Sequence, residues 1–367
     1  MNTRVIFVGQ SLNILDWLLT RHDIEVCAVF VPPLQEDTLG GWFTRCAQRG
    51  VSAFFEATPR DVVEHMPAAI DLGVCAHFDP LPAAALTSTR LGFINIHPAP
   101  LPDFAGRYPL IELTRRGARE GGVSVHWMSE RIDQGDLIAI ERFAVSPLDG
   151  PVELEVKAEH LARRVLSELW EAIIDGYAPR ISQPRRPLTK SPRRIPCPTQ
   201  AQNGIELWRM IRAYGPYGGV GLWHPSTARV IRLKEASLYP VIPREDSSSS
   251  LSGNARSTSP PPPDSAAYFT VLEATEYEIS LTLSPLSPLM TPHNHPALPT
   301  LTSTSSICSR DSTAYSWILK VTAYQLVDEC KMYSSLDEDA TSIAARGSIA
   351  PGDLLTRLPS ERYLHLP

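Results

Sequence analysis

The first hundred or so residues alternate short apolar runs with segments of helical periodicity, and this alternation restricts the fold more than any other feature. The apolar runs are Arg4–Gly9, Glu25–Val31, Leu72–His77 and Phe93–His97. Leu12–Thr20, Leu39–Gln48 and Ala83–Leu86 read as helices between them, and Leu110–Arg116 follows as another. A strand that is apolar on both sides must be covered on both sides, and parallel strands need crossover connections. The pattern predicts an α/β domain: a Rossmann-like, mostly parallel sheet with helices on both faces. Gly9-Gln10-Ser11 closes the first strand in a nucleotide-type turn, although no G-x-G-x-x-G accompanies it.

The run Gly92-Phe93-Ile94-Asn95-Ile96-His97-Pro98 carries the chemistry. Alternate residues of a strand face the same way, so Asn95 and His97 share a face with Phe93 while Ile94 and Ile96 point to the other. Prolines at 98, 100 and 102 stop the strand, because proline supplies no ladder donor. In open α/β sheets ligands bind beyond the carboxyl ends of the strands, which is where His97 falls. Two further strands, Val123–Met128 and Leu137–Phe143, flank a loop containing Asp133. A carboxamide, an imidazole and a carboxylate gathered in one cleft suit attack of an amine on an activated acyl group. His126, a lone histidine within a strand, reads as structural. The six cysteines show no CxxC spacing, and no metal-ligand spacing is present.

Asn-x-His-Pro and Leu-Pro at 95–102, Gly106, Gly-Val-Ser-Val-His-Trp-Met at 122–128 and Ile-Asp-x-Gly-Asp-Leu-Ile at 132–138 follow one another in an order that resembles the 10-formyltetrahydrofolate-dependent formyltransferases. That family includes the methionyl-tRNA, glycinamide ribonucleotide and sugar-nucleotide formyltransferases. The likeness covers about residues 4–178 and implies Asn95, His97 and Asp133 as the catalytic trio. It implies direct transfer of a formyl group from 10-formyltetrahydrofolate to a primary amine through a tetrahedral intermediate. Asn95 would donate to the oxyanion, His97 would polarise the formyl oxygen or handle the amine proton, and Asp133 would orient His97. The same resemblance implies donor contacts from His77, Phe78 and Leu81 in one loop and from Ile132 and Gly135 in the other, with Gly9 and Ser11 beside the site and no metal. The wording departs from relatives at Cys75–Pro82. It departs again at Arg107, which follows its glycine instead of preceding it. The segment Pro32–Gly41 is short and carries two acids and no Lys or Arg, where methionyl-tRNA enzymes insert a basic loop. This tilts the acceptor toward an amino-sugar nucleotide or other small amine, with initiator methionyl-tRNA as the alternative. A formyltetrahydrofolate hydrolase or a catalytically inactive folate-binding relative forms a third reading.

The 367-residue length favours two domains. Residues 1–178 form the expected catalytic domain, closed by a helix over about 152–175 that Pro151 opens and Gly176 ends. Residues 179–202 read as a proline-rich linker with six basic residues. Residues 203–358 resemble the C-terminal OB-type β-barrel of some relatives, with a helix at 204–214, strands at 220–223, 229–239 and 317–326, and a Pro351-Gly352-Asp353 ending. Low-complexity tracts at about 243–266 and 284–313 interrupt it, and both are expected to be disordered. The net charge of −6 gives no global pull toward nucleic acid or membrane. No apolar run spans a bilayer, and the first strand leaves no room for a leader, so a cytoplasmic setting is expected.

Overall fold

The computed structural model describes residues 2–34, 36–188, 204–224, 229–240, 269–274, 279–283, 317–327 and 354–355. The chain divides into two compact units, Met1–Ser191 and Pro192–Pro367.

The first unit runs β1 (Thr3–Gly9), α1 (Leu12–Thr20), β2 (Ile24–Phe30), α2 (Glu36–Arg49), β3 (Ser52–Phe54), α3 (Pro59–Glu64), β4 (Leu72–Ala76), α4 (Ala83–Leu86), β5 (Phe93–His97), α5 (Pro109–Arg116), β6 (Glu120–Trp127), β7 (Leu137–Ala144) and α6 (Pro151–Ile174). Its seven-stranded sheet has the order β3-β2-β1-β4-β5-β6-β7. The first five strands are parallel; β6 is antiparallel to both of its neighbours, β5 and β7, so β7 runs with the first five. This is the Rossmann-like α/β sheet that the alternation predicts. β3 and α3 are additions to that pattern. The signal for α3 was present in Thr58, which caps the helix, and in Pro59 at its first turn.

Period-two alternation sorts the core into two layers. Val5, Phe7, Ile94 and Ile96 pack with Trp17 of α1, Trp42 of α2 and Trp170 of α6. Ile6, Val8 and Phe93 pack on the other face with Val62 of α3 and Ala85 of α4. The chain leaves β1 toward β2 and later returns on its opposite side as β4, so a crevice opens between the carboxyl ends of β1 and β4. Only glycine fits at Gly9 there: its φ is +148°, and a Cβ would lie 1.8 Å from the carbonyl oxygen of Ala76. The first unit extends past the expected boundary at 178, because Ile181 pairs with Leu137 of β7 through two backbone hydrogen bonds of 2.8 and 3.0 Å.

The second unit contains α7 (Gly204–Tyr214), a 3-10 turn at Gly215–Tyr217, and strands β8 (Val220–His224), β9 (Arg229–Pro240), β10 (Phe269–Ala274), β11 (Ile279–Leu283), β12 (Trp317–Val327) and β13 (Leu354–Leu355). The strands form one antiparallel sheet in the order β13-β10-β11-β12-β9-β8. Leu207 and Ile211 of α7 are fully buried, as are Val220 and Leu222 of β8. The expected insertions at 243–266 and 284–313, and Pro351-Gly352-Asp353, lie outside the described residues. Among the described residues no helix is long and apolar enough to cross a membrane.

Candidate active site

β5 ends between β4 and β6, and the register of those pairs builds the site. Cys75 of β4 lies beside Asn95. On the other flank the antiparallel pairing sets His126 opposite Asn95 and Ser124 opposite His97. Ser124 is fully buried and pins the proline-rich turn after β5, accepting from the Leu101 amide at 2.9 Å and donating to the Ala99 carbonyl at 2.8 Å. The loop between β6 and β7 delivers Asp133 in the left-handed region, φ +51°, which Asp adopts more readily than most residues. Its carboxylate then reaches four neighbours. Oδ2 accepts the Gly106 N–H at 2.8 Å and lies 3.6 Å from His97 Nδ1, while Oδ1 accepts from Asn95 Nδ2 at 3.3 Å and lies 3.6 Å from His126 Nε2. The structure therefore brings together the three residues expected to act together.

His97 is 4% exposed. Its Nε2 lies 3.0 Å from the Phe104 carbonyl, which can only accept, so that nitrogen carries a proton. Burial pushes the imidazole below the ordinary histidine range; Asp133 pulls it up, and the rings of His126 and His77 push it further down. At neutral pH the ring is thus neutral, and its Nδ1 lone pair faces a carboxylate. Burial also pushes Asp133 up, but the His97 and His126 rings and the Gly106 N–H outweigh it and hold the carboxyl at about 2. The Gly106 and Asn95 N–H donors do not titrate, so their hydrogen bonds to the carboxylate are present at any pH. The pair is poised to take one proton at Nδ1 and stabilise it there. The adjacent Cys75 thiol is pushed up to about 12, chiefly by burial, so it is no nucleophile.

His126, expected to be structural, belongs to this network. Its Nδ1 is 2.9 Å from the Trp127 carbonyl and must donate, which leaves Nε2 to accept from Asn95 Nδ2 at 3.1 Å. Both amide protons of Asn95 are therefore directed inward, one to His126 and one to Asp133. Its Oδ1 is the carboxamide atom left without a partner among the described residues. Donation to an oxyanion requires the longer bond, the 3.3 Å one to Asp133, to be exchanged. A cross-strand partner of this kind is invisible until the register of β6 is known.

The other expected residues divide. His77, at φ +60° beyond β4, has Nδ1 3.6 Å from Glu155 of α6. It lines a cleft with Ser11, Ala76, Ile96, Pro98 and Glu159, on the α1 and α6 side of the sheet. Leu81 is 4% exposed and sits in the apolar layer with Ile6 and Phe30, with Phe78 packed against that layer. Leu81 thus supports the loop from within the core. Ile132 is exposed, and Gly135 has no room for a side chain, since a Cβ would lie 1.8 Å from the Trp127 carbonyl oxygen. Ser11 caps α1 and donates to the Glu159 carboxylate at 2.5 Å, so a carboxylate of the chain itself occupies the end of α1 that would otherwise attract an anion. Burial, with Glu159 adding and His77 opposing, raises the pKa of Glu155. Arg107, which follows its glycine, is ion-paired with Asp79 of the loop after β4. Asp61 and Glu64 of α3, with His65 just after it, also place ligand-type atoms together. There, however, Asp61 holds the Thr58 cap and Glu64 pairs with Arg60.

Residues 47–169 match the family model described as formyl transferase. A methionyl-tRNA formyltransferase of Methylacidiphilum infernorum is 35% identical over 112 residues, which is 30% of this chain and 35% of that protein. The enzyme of the same name from Symbiobacterium thermophilum is 32% identical over 149 residues, 40% of this chain and 46% of its own. The chain thus spans a third to a half of the length of the curated relatives it matches. Its fold is similar to that of WlaRD, a sugar 3N-formyl transferase solved with dTDP and 5-N-formyl-THF. The TM-score is 0.53 at 15% identity, covering 77% of this chain and 94% of that one. It is also similar to an N-formyltransferase from Helicobacter canadensis solved with folinic acid and dTDP-3-aminofucose, with a TM-score of 0.51 at 16% identity, covering 65% of this chain and 88% of that one.

Proposed function

We propose that this chain, whose residues 47–169 carry a formyl transferase domain, transfers a formyl group from 10-formyltetrahydrofolate to the primary amine of a small acceptor such as an amino-sugar nucleotide. The observation that carries the reading is the contact of Asn95, His97 and Asp133 at the carboxyl end of β5. The donor supplies an activated formyl group. The chain's own residues then have three tasks. Neutral His97, backed by Asp133, takes up the proton that the attacking amine sheds and returns it to the leaving N10 of tetrahydrofolate as the tetrahedral intermediate collapses and its C–N10 bond breaks. Asn95 turns the proton it shares with Asp133 toward the developing oxyanion. Its bond to His126 keeps the carboxamide from rotating away. For the donor's ring we propose contacts from Phe78, Ile132 and the backbone at Gly135, with His77 and Leu81 shaping the loop between the donor and acceptor sides. Ile132, apolar and exposed, suits the face of a flat heterocycle. The second unit we read as an OB-type domain and the setting as cytoplasmic.

The small acceptor is favoured by the direct join between β2, ending at Phe30, and α2, beginning at Glu36, with no room for a basic loop to neutralise phosphates. Initiator methionyl-tRNA is the second reading, favoured by the names of the curated relatives. The test is tetrahydrofolate release from 10-formyltetrahydrofolate by the full chain, with amino-sugar nucleotides and charged methionyl-tRNA offered separately. Release that depends on an amino-sugar nucleotide is expected. Release only with the tRNA selects the second reading, and release without any acceptor makes the protein a hydrolase.

A further inference from the structure

The segment after α6 reads as linker from its prolines, yet it is stitched to the loop that carries Asp133. Trp127 Nε1 donates to the Pro179 carbonyl at 3.1 Å, and the Arg180 guanidinium lies 4.1 Å from the Trp127 ring centre. Ile181 pairs with Leu137, and Ser182 Oγ donates to the Asp136 carboxylate at 3.2 Å. At the middle of this contact Gln183 Nε2 donates to two carbonyl oxygens of the loop, Asp133 at 3.3 Å and Gly135 at 2.5 Å. Both oxygens can only accept, so the orientation of the Gln183 amide follows from its surroundings. Its Oε1 is left buried and unpaired.

This arrangement acts where the loop is most demanding. Asp133 holds a left-handed backbone at φ +51°, a conformation that persists only when neighbours impose it. Two residues on, Gly135 presses against the Trp127 carbonyl. The carboxylate end of Asp133 is tied to Gly106, Asn95 and His97; the backbone end is tied by Gln183. We propose that Gln183 is a positioning residue for Asp133: by binding the carbonyls of Asp133 and Gly135 it fixes the backbone that aims the carboxylate at His97 and Asn95. This rests on the reading of Asp133 given under Proposed function. An unpaired buried acceptor destabilises a fold, so Gln183 Oε1 gives no reason to keep glutamine on grounds of stability alone. What the glutamine supplies is its Nε2, bound to the loop that carries Asp133.

The test separates positioning from packing and needs no acceptor. Full-length protein with 15N-labelled histidine is titrated by NMR, with the His97 ring assigned through His97→Gln. Asp133 is the anion that raises the His97 midpoint against burial, His126 and His77, so Asp133→Asn lowers that midpoint. Gln183→Met keeps side-chain length, removes both donors and removes the unpaired Oε1. It is expected to leave the melting temperature near that of the wild type while lowering the His97 midpoint, and to add nothing in the Asp133→Asn background. Gln183→Leu, uncharged and without a donor, should act the same way if the methionine variant fails to fold. In the transfer assay both variants should lower kcat by about 30-fold, the loss of two hydrogen bonds, with little change in either KM. A wild-type His97 midpoint in both folded variants overturns the proposal, as does an equal shift with Asn at 133. Absence of transfer by the wild type would sink the functional reading and leave the titration test intact.

Discussion

Asp133→Asn tests the electrostatics of the site through stability, independently of any substrate. The Asp133 side chain is 10% exposed, so solvent screening takes little from its contacts. Its pKa is held at about 2 in the folded chain against 3.8 for the free group. That gap corresponds to roughly 2.5 kcal/mol. Because the folded value lies below the unfolded one, this contribution is present in full above the unfolded pKa and is lost as pH falls toward the folded one. By about pH 3 roughly 1 kcal/mol of it has gone. Asn at 133 has nothing to titrate but also lowers the His97 pKa, so both proteins compared carry His97→Gln, and every carboxylate other than Asp133 is common to them. Urea unfolding followed by tryptophan fluorescence, at near-neutral pH and at about pH 3, should show His97→Gln losing more stability than His97→Gln/Asp133→Asn between the two conditions, by up to roughly 1 kcal/mol. Parallel losses would mean that Gly106, Asn95 and His126 do not hold the charge, and the geometry drawn for the site would be wrong.

Three other outcomes follow from single contacts. His126→Phe removes the acceptor for Asn95 Nδ2 at 3.1 Å and should lower kcat by about tenfold, with donor KM little changed in steady-state kinetics; an unaltered kcat would return His126 to a structural role. Glu159→Ala clears a carboxylate from the end of α1, where Ser11 donates to it at 2.5 Å. Titration calorimetry should then detect inorganic phosphate binding that the wild type lacks, and no binding to either protein would refute this use of Glu159. Gly135→Ala places a Cβ within 1.8 Å of a backbone carbonyl and should destabilise the first unit by about 3 kcal/mol or more, seen as a drop in melting temperature.

The parts of this site legible in the sequence are those fixed by local periodicity. Asn95 and His97 share a face because a strand alternates, and the prolines behind them mark its end. Asp133 was found through the order of motifs around it. What could not be read depends on pairing between distant segments. His126 meets Asn95 only because β6 runs antiparallel to β5 in one register. Glu159 of α6 reaches Ser11 from 148 residues along the chain, because α6 packs beside α1. Residues 179–186 misled for a physical reason: proline density marks an extended chain, and an extended chain is also what pairs with a strand edge. Ile181 exchanges backbone hydrogen bonds with Leu137, and Gln183 uses its side chain where a proline-rich backbone has few donors to give. Leu81, expected at the ligand, is drawn into the core by the same apolar layer that seats Phe93.

The most direct test of the central claim is tetrahydrofolate release measured side by side for the wild type and His97→Ala, with an accepted amine present and absent. The wild type is expected to release tetrahydrofolate only with the amine. His97→Ala is expected to release none while keeping the wild-type circular dichroism spectrum, since His97, though buried, lies outside the two apolar layers and its loss removes only its hydrogen bond to Phe104 and its contact with Asp133. Turnover by His97→Ala at the wild-type rate would contradict the mechanism outright and take His97, and with it the role of Asp133, out of the reaction.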